Sequence, residues 1–214
     1  MSDIFREIDE DLRKENLAKL WARYGRWVIV AAVLVVVATA VGVGWRQYRQ
    51  QQSAAQGTQF AAALDLVRAG KDKDAADAFA ALAQHAGSGH AILARMEEAA
   101  LKARTGDVAG ALAIYDRLAS DASVDAVLRD AATVLAARAA LDNGDAAGAI
   151  RRLKPLTVGS SPWRPFAVEL TGFADLKAGD RGAARKSFQA LADDPNAPAG
   201  ARQRAAQMIA ALTP

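Results

Sequence analysis

The sequence predicts an all-α chain in which one apolar helix near the start is followed by a stack of about four helical hairpins and a closing cap helix. Three observations carry this. Residues 28–44 form an uncharged, almost wholly apolar run between Trp27 and Trp45. A Gly-centred turn signal recurs four times at nearly constant spacing. Alanine is abundant, only 6 residues are proline, and β-branched runs are rare outside the apolar stretch, a composition that favours helix over strand.

Residues 1–26 read as an amphipathic helix. Ser2 and Asp3 can cap it, and acidic residues fill its early turns, where the helix dipole favours negative charge. Ile4, Ile8 and Leu12 share one face, and Leu17, Leu20, Trp21 and Tyr24 form a second apolar stripe. The segment suits a cytoplasmic docking or interfacial helix, or a simple flank to the run that follows.

Residues 27–45 read as a transmembrane helix. The 19 residues from Trp27 to Trp45 would span about 28 Å as a helix, at the short end for a bilayer core of about 30 Å. A core helix of a soluble domain normally keeps a polar stripe, which this run lacks. Trp27 and Trp45, with Arg26 and Arg46 outside them, suit the two water–lipid boundaries. A cleaved signal peptide is the competing reading, since Ala38-Thr39-Ala40 has the shape of a cleavage site. Against it, residues 1–26 mix six acidic with six basic side chains, and apolar residues continue to Gly44. The 15 residues before Trp27 hold five Lys or Arg and the 15 after Trp45 hold two, which predicts a cytoplasmic N-terminus and an exported C-terminal part, periplasmic if the source is bacterial. Ala38/Gly42 and Ala40/Gly44 are small-xxx-small pairs that would allow close helix approach.

Residues 46–56 are expected to continue as a juxtamembrane helical linker, about 17 Å if helical, which would hold residues 57–214 close over the membrane. That last part carries the repeat. Gly70, Gly106, Gly144 and Gly179 are 36, 38 and 35 residues apart. Five residues after each glycine stands Ala75, Ala111, Ala149 or Ala184; nine after, Phe79, Tyr115, Leu153 or Phe188; twelve after, Leu82, Leu118, Leu156 or Leu191. Seven before stands Ala63, Ala99, Ala137 or Gly172. The glycine ends one helix in a left-handed turn, and the Asp after three of the four can cap the next. Small residues seven before and five after let the two helices cross closely, and the large pair faces the core. A final helix, roughly 198–212, would cap the open end of the stack.

No arrangement for catalysis emerges. Cysteine is absent, which excludes disulfides and thiol chemistry. The net charge of +3 comes from mixed charges and does not point to nucleic acid. His85 and His90 flank Gly87-Ser88-Gly89, with no acidic or cysteine ligand near to complete a metal site and no Lys-Ser/Thr to make a phosphate loop. Glu97 and Glu98 are adjacent and point to different helix faces. The chain is expected to act without cofactor, metal or small-molecule substrate. What a helical stack offers is a groove lined by its first helices. Arg68, Arg104 and Lys177 stand two residues before three of the glycines, with Arg138 and Phe173 one turn earlier on their helices. A partly basic groove of this kind would suit an extended peptide bearing acidic groups or a free carboxylate.

Residues 54–194 resemble the tetratricopeptide repeat family in period, in the small residues on both helices and in the large residue four beyond the second-helix alanine. The large aromatic early in the family's first helix is missing, and Pro162 and Pro195 stand near only two of the unit ends. The whole layout, from the Asp3-Ile4-Phe5-Arg6-Glu7 opening through the Trp-bounded run to the repeats, resembles the bacterial inner-membrane family of ancillary SecYEG translocon subunits. That resemblance implies a non-enzymatic protein in the bilayer that links translocating proteins to periplasmic chaperones, with the Sec translocon and periplasmic folding factors as partners. Two other roles fit the same layout: a tethered scaffold for another envelope machine, such as cytochrome maturation or cell division, and a regulatory subunit of a membrane enzyme.

Overall fold

Helix formers dominate the segments between the turn glycines, and among the described residues the regular structure is all helix. The structure, a computed structural model, describes residues 2–84 and 89–213, with the side chains of residues 2–20, 28, 31 and 32 left outside the description. Among the described residues the elements are α1 (Ser2–Arg68), α2 (Asp72–Ala83), α3 (Gly89–Arg104), α4 (Val108–Ser120), α5 (Ala126–Asp142), α6 (Ala146–Thr157), α7 (Arg164–Lys177), α8 (Arg181–Ala192) and α9 (Ala199–Leu212). The chain divides into two units, Met1–Ala55 and Gln56–Pro214.

In the first unit, the stripes expected at Ile4, Ile8, Leu12, Leu17 and Leu20 lie outside the described side chains. Further on, Trp21, Tyr24, Trp27, Trp45 and Tyr48 are exposed. The Arg26 guanidinium lies 5.9 Å from the Trp27 ring centre and that of Arg49 5.4 Å from the Trp45 ring centre, so each boundary tryptophan carries a cation on its face. Among the described residues no helix is long and apolar enough to cross a membrane; residues 28, 31 and 32 of the apolar run are among the side chains outside the description.

The second unit is a stack of hairpins. Its first hairpin pairs the 56–68 part of α1 with α2, and α3/α4, α5/α6 and α7/α8 follow, with α9 packed on α8 and α7. All four turn glycines take left-handed φ, between 70° and 95°. Each turn closes with the same two backbone bonds, as where Gly144 N–H donates to Leu141 O and Asp145 N–H to Ala140 O at 3.0 and 2.9 Å, a Schellman arrangement. Asp107, Asp145 and Asp180 then cap the following helices, accepting from the N–H groups of Gly110, Gly148 and Ala183. At the first turn Lys71 stands in that place, and α2 has no side-chain cap.

The crossing residues are buried as the spacing requires. Ala75, Ala99, Ala111, Ala137, Ala149 and Ala184 are fully buried, as are the large Phe79, Leu153 and Phe188. In the fourth hairpin, a Cβ on Gly172 would sit 2.8 Å from Cζ of Phe188, so glycine is required there for a ring to fit. The core falls into four clusters, each centred on one hairpin and borrowing residues from the next.

Two stability predictions follow from these contacts. Gly172→Ala adds a methyl where the Phe188 ring lies. The overpacking cost exceeds the gain in helix propensity, and urea unfolding should show a net loss of about 1–2 kcal/mol; a more stable variant would mean that the ring is free to move. The second concerns Asp175, which is buried between α7 and α8 with the Ser187 hydroxyl donating to it at 3.2 Å. Burial pushes its carboxyl pKa up and Asp180 adds to this, with Ser187 acting in opposition. A raised folded-state pKa means that its contribution to stability is present below the unfolded value and lost as pH rises through the folded value. Asp175→Asn should therefore raise the Tm at pH 7, and the gain should vanish below about pH 4. A gain independent of pH would refute the electrostatic origin.

Candidate partner-binding groove

The first helices lie side by side, α3 next to α5 and α5 next to α7, and two concavities open between them. The one between α3 and α5 has a volume of about 570 Å³ and is lined by Ala100, Arg104, Tyr115, Leu135, Arg138 and Asn143, among others. The one between α5 and α7 has about 450 Å³. Its walls are apolar (Val134, Leu141, Phe166, Leu170 and Phe173), with Arg138, Asp142 and Glu169 at the polar positions. Arg138 and Asp142 belong to both, so the two concavities form one groove across three helices.

The five residues expected to line the groove meet different fates. Arg68 pairs with Asp65 at 2.8 Å, one turn back on its own helix, and lines neither concavity. Arg104 lines the first concavity, but its guanidinium holds Asp72 of the preceding hairpin through Nε at 2.9 Å and Nη2 at 2.5 Å. Lys177 donates to the carbonyl of Leu141 at 2.6 Å and so closes the C-terminal end of α5. Arg138 is exposed, and its pairing with Asp142 is long at 3.7 Å, an ion pair of the weak surface kind. Phe173 is partly exposed in the second concavity, with its ring 5.3 Å from that of Phe188 in an edge-to-face contact. The structure thus brings Arg138 and Phe173 together in one concavity. Arg104 and Lys177 it ties to neighbouring hairpins.

Sequence reasoning missed Phe166, which is exposed and lines the concavity with Phe173. The signal was present: the two are seven residues apart, two helical turns on one face. It also missed Glu169, for which no local pattern exists. Glu169 is buried and accepts a bidentate pair from Arg204 of the cap helix, at 2.7 and 2.8 Å. The same pairing holds the Arg204 guanidinium more firmly charged than usual.

The groove holds little that could carry out chemistry. Tyr115 is buried and its hydroxyl donates to Met96 O at 3.2 Å; burial, helped by Glu97, pushes its pKa up to about 12. At neutral pH it is a neutral core residue. His90 lies with its ring 6.5 Å from that of Phe60, and His85 falls outside the described residues. Among the described residues no group of three or more His, Cys, Asp or Glu is placed to hold a metal.

The profile of the tetratricopeptide repeat-like domain matches residues 18–209. The chain belongs to this family. The match on this tetratricopeptide repeat-like protein begins ahead of the apolar run and continues into the cap helix. No curated protein sequence matches it. Among solved structures, nearly identical TPR-like repeats of a candidate kinesin light chain from Podosopora anserina superpose with a TM-score of 0.56 at 16% identity, covering 72% of this chain and 83% of that one. A second structure of those repeats gives the same TM-score and coverage at 15% identity. At such identities the likeness is one of fold.

The division between structural and loosely paired cations can be tested. Arg138→Ala should leave the Tm within about 1 °C of the parent, as expected for an exposed, weakly paired charge. Arg204→Met should lower the Tm, because Glu169 keeps a buried charge without its partner. Adding Glu169→Gln should recover part of that loss; equal loss in single and double variants would show that the pair does not couple.

Proposed function

We propose that this protein is a membrane-anchored, non-enzymatic interaction scaffold, an ancillary subunit at the Sec translocon that hands translocating chains to periplasmic folding factors. The observation that carries the scaffold part is the groove across α3, α5 and α7, where exposed Phe166 and Phe173 stand beside the loosely paired Arg138. An extended segment with a bulky apolar side chain and a nearby carboxylate matches that surface. TPR-like repeats suggest protein partners in general, which agrees with the same reading.

The anchor rests on the sequence: residues 28–44 are apolar all round, bounded by Trp27 and Trp45, and lie within the family match. The excess of Lys and Arg before the run supports a cytoplasmic N-terminus and a periplasmic repeat unit in a bacterial inner membrane. The translocon assignment rests on the resemblance of the whole layout to the ancillary subunits of that machine.

Crosslinking in native membranes, followed by mass spectrometry, tests both parts. The full chain should recover translocon subunits together with periplasmic folding factors. A Phe166→Ala/Phe173→Ala/Arg138→Glu variant should keep the membrane partners and lose at least three-quarters of the soluble ones, about 1 kcal/mol of binding or more. Recovery of division or cytochrome-assembly proteins alone would replace the translocon assignment. Unchanged recovery in the groove variant would move the binding surface elsewhere.

A further inference from the structure

The second helices α2, α4, α6 and α8 alternate with the first helices along the stack, and their repeat-matched positions change sign along it. Seven residues after each turn glycine stand Asp77, Ala113, Arg151 and Lys186; ten after stand Ala80, Asp116, Lys154 and Gln189; two after stand Asp72, Val108, Ala146 and Arg181. At these places the first two hairpins carry three acids and no base, and the last two carry four bases and no acid. Arg185 adds a fifth exposed cation.

Among the described residues these five cations have no partner. Arg151, Lys154, Arg181, Arg185 and Lys186 are all exposed, and among the described residues their side chains make no hydrogen bond or ion pair. They lie in rows on each helix, Arg151 with Lys154 and Arg181 with Arg185, at the spacing that puts side chains on one face. The neighbouring carboxylates are engaged elsewhere: Asp145 and Asp180 cap α6 and α8, Asp193 accepts from Gln189, and Asp116 holds Arg152. The acidic half cannot supply the complement from a second copy. Asp72 is held by Arg104 and Asp116 by Arg152, which leaves Asp74 and Asp77 beside Lys71 and Lys73.

We propose that the outer faces of α6 and α8 adsorb to anionic phospholipid headgroups at the surface of the bilayer that anchors the chain. This rests on the anchored reading given above. No large apolar side chain is exposed within α6 or α8, so the surface holds charge alone and nothing that would select a peptide's side chains. Each cation near an anionic bilayer is worth about a five-fold change in adsorption. Anchoring makes the contact intramolecular, so a weak patch is enough to hold it.

The absence of cysteine from the chain allows a single label at Ala190→Cys, an exposed position on α8. The full chain, carrying an environment-sensitive dye there, is inserted into vesicles of phosphatidylcholine alone or with phosphatidylglycerol. The dye should be shielded from iodide in the anionic vesicles and accessible in the zwitterionic ones, and the shielding should fade as salt is raised. Arg151→Gln/Lys154→Gln/Arg185→Gln/Lys186→Gln should abolish it while circular dichroism stays unchanged. Flotation with zwitterionic vesicles after an alkaline wash reads the anchor separately. If flotation fails while shielding in anionic vesicles persists, the anchor reading falls and the lipid face stands. Equal accessibility in both vesicle types overturns the lipid face, as does shielding by added polyglutamate but not by anionic vesicles, which would assign it to an acidic polypeptide.

Discussion

Close approach of the two helices in each hairpin is the constraint on which the rest of the repeat unit depends. At the crossing, one helix offers Ala63, Ala99, Ala137 or Gly172 and the other Ala75, Ala111, Ala149 or Ala184. With nothing larger than a methyl at the contact, the large residues four positions on can reach under the neighbouring helix and be buried. The fourth hairpin takes this furthest, because the Phe188 ring occupies the space that a Cβ at Gly172 would need. A left-handed glycine turn and an aspartate cap then fix the angle at which each hairpin closes.

Burial alone leaves four clusters in a row, and polar contacts about one repeat apart join them. Arg104 holds Asp72, Arg152 holds Asp116, the Trp163 indole donates to Val127 O, Lys177 donates to Leu141 O, and Arg204 holds Glu169. These latches decide which charges remain for a partner. Cations at matched positions look alike in a repeat sequence, yet most of those on the first helices serve the stack itself, whereas those on the outer faces of α6 and α8 do not. Groove and outer face thus differ in kind: one joins an apolar wall to a loosely paired arginine, the other is an open field of charge.

Much of the fold was legible because its determinants are local. A glycine at positive φ, an aspartate after it and two small residues at fixed offsets can be recognised without knowing what they touch, and the structure places all of them as expected. The groove was less legible. Arg138 and Phe173 could be placed on the right helices from the register, but the capture of Arg104 by Asp72 and of Lys177 by the Leu141 carbonyl depends on the height of one hairpin over the next, which no spacing within a hairpin encodes. Glu169 was invisible for the same reason, since its partner lies 35 residues away on the cap helix.

The spacing of the turn glycines, 36, 38 and 35 residues, has one further meaning. From the small residue seven before each glycine to the leucine twelve after it, every hairpin keeps an identical count. All the variation therefore falls over the 16 to 19 residues from that leucine to the next small residue, which take in the loop between hairpins and the opening turns of the next first helix. A lineage carrying this domain is free to lengthen or shorten the chain at those seams, but inside a hairpin even one inserted residue would turn the crossing face away from its mate. Diversification of such a protein is confined to its joints and its painted surfaces.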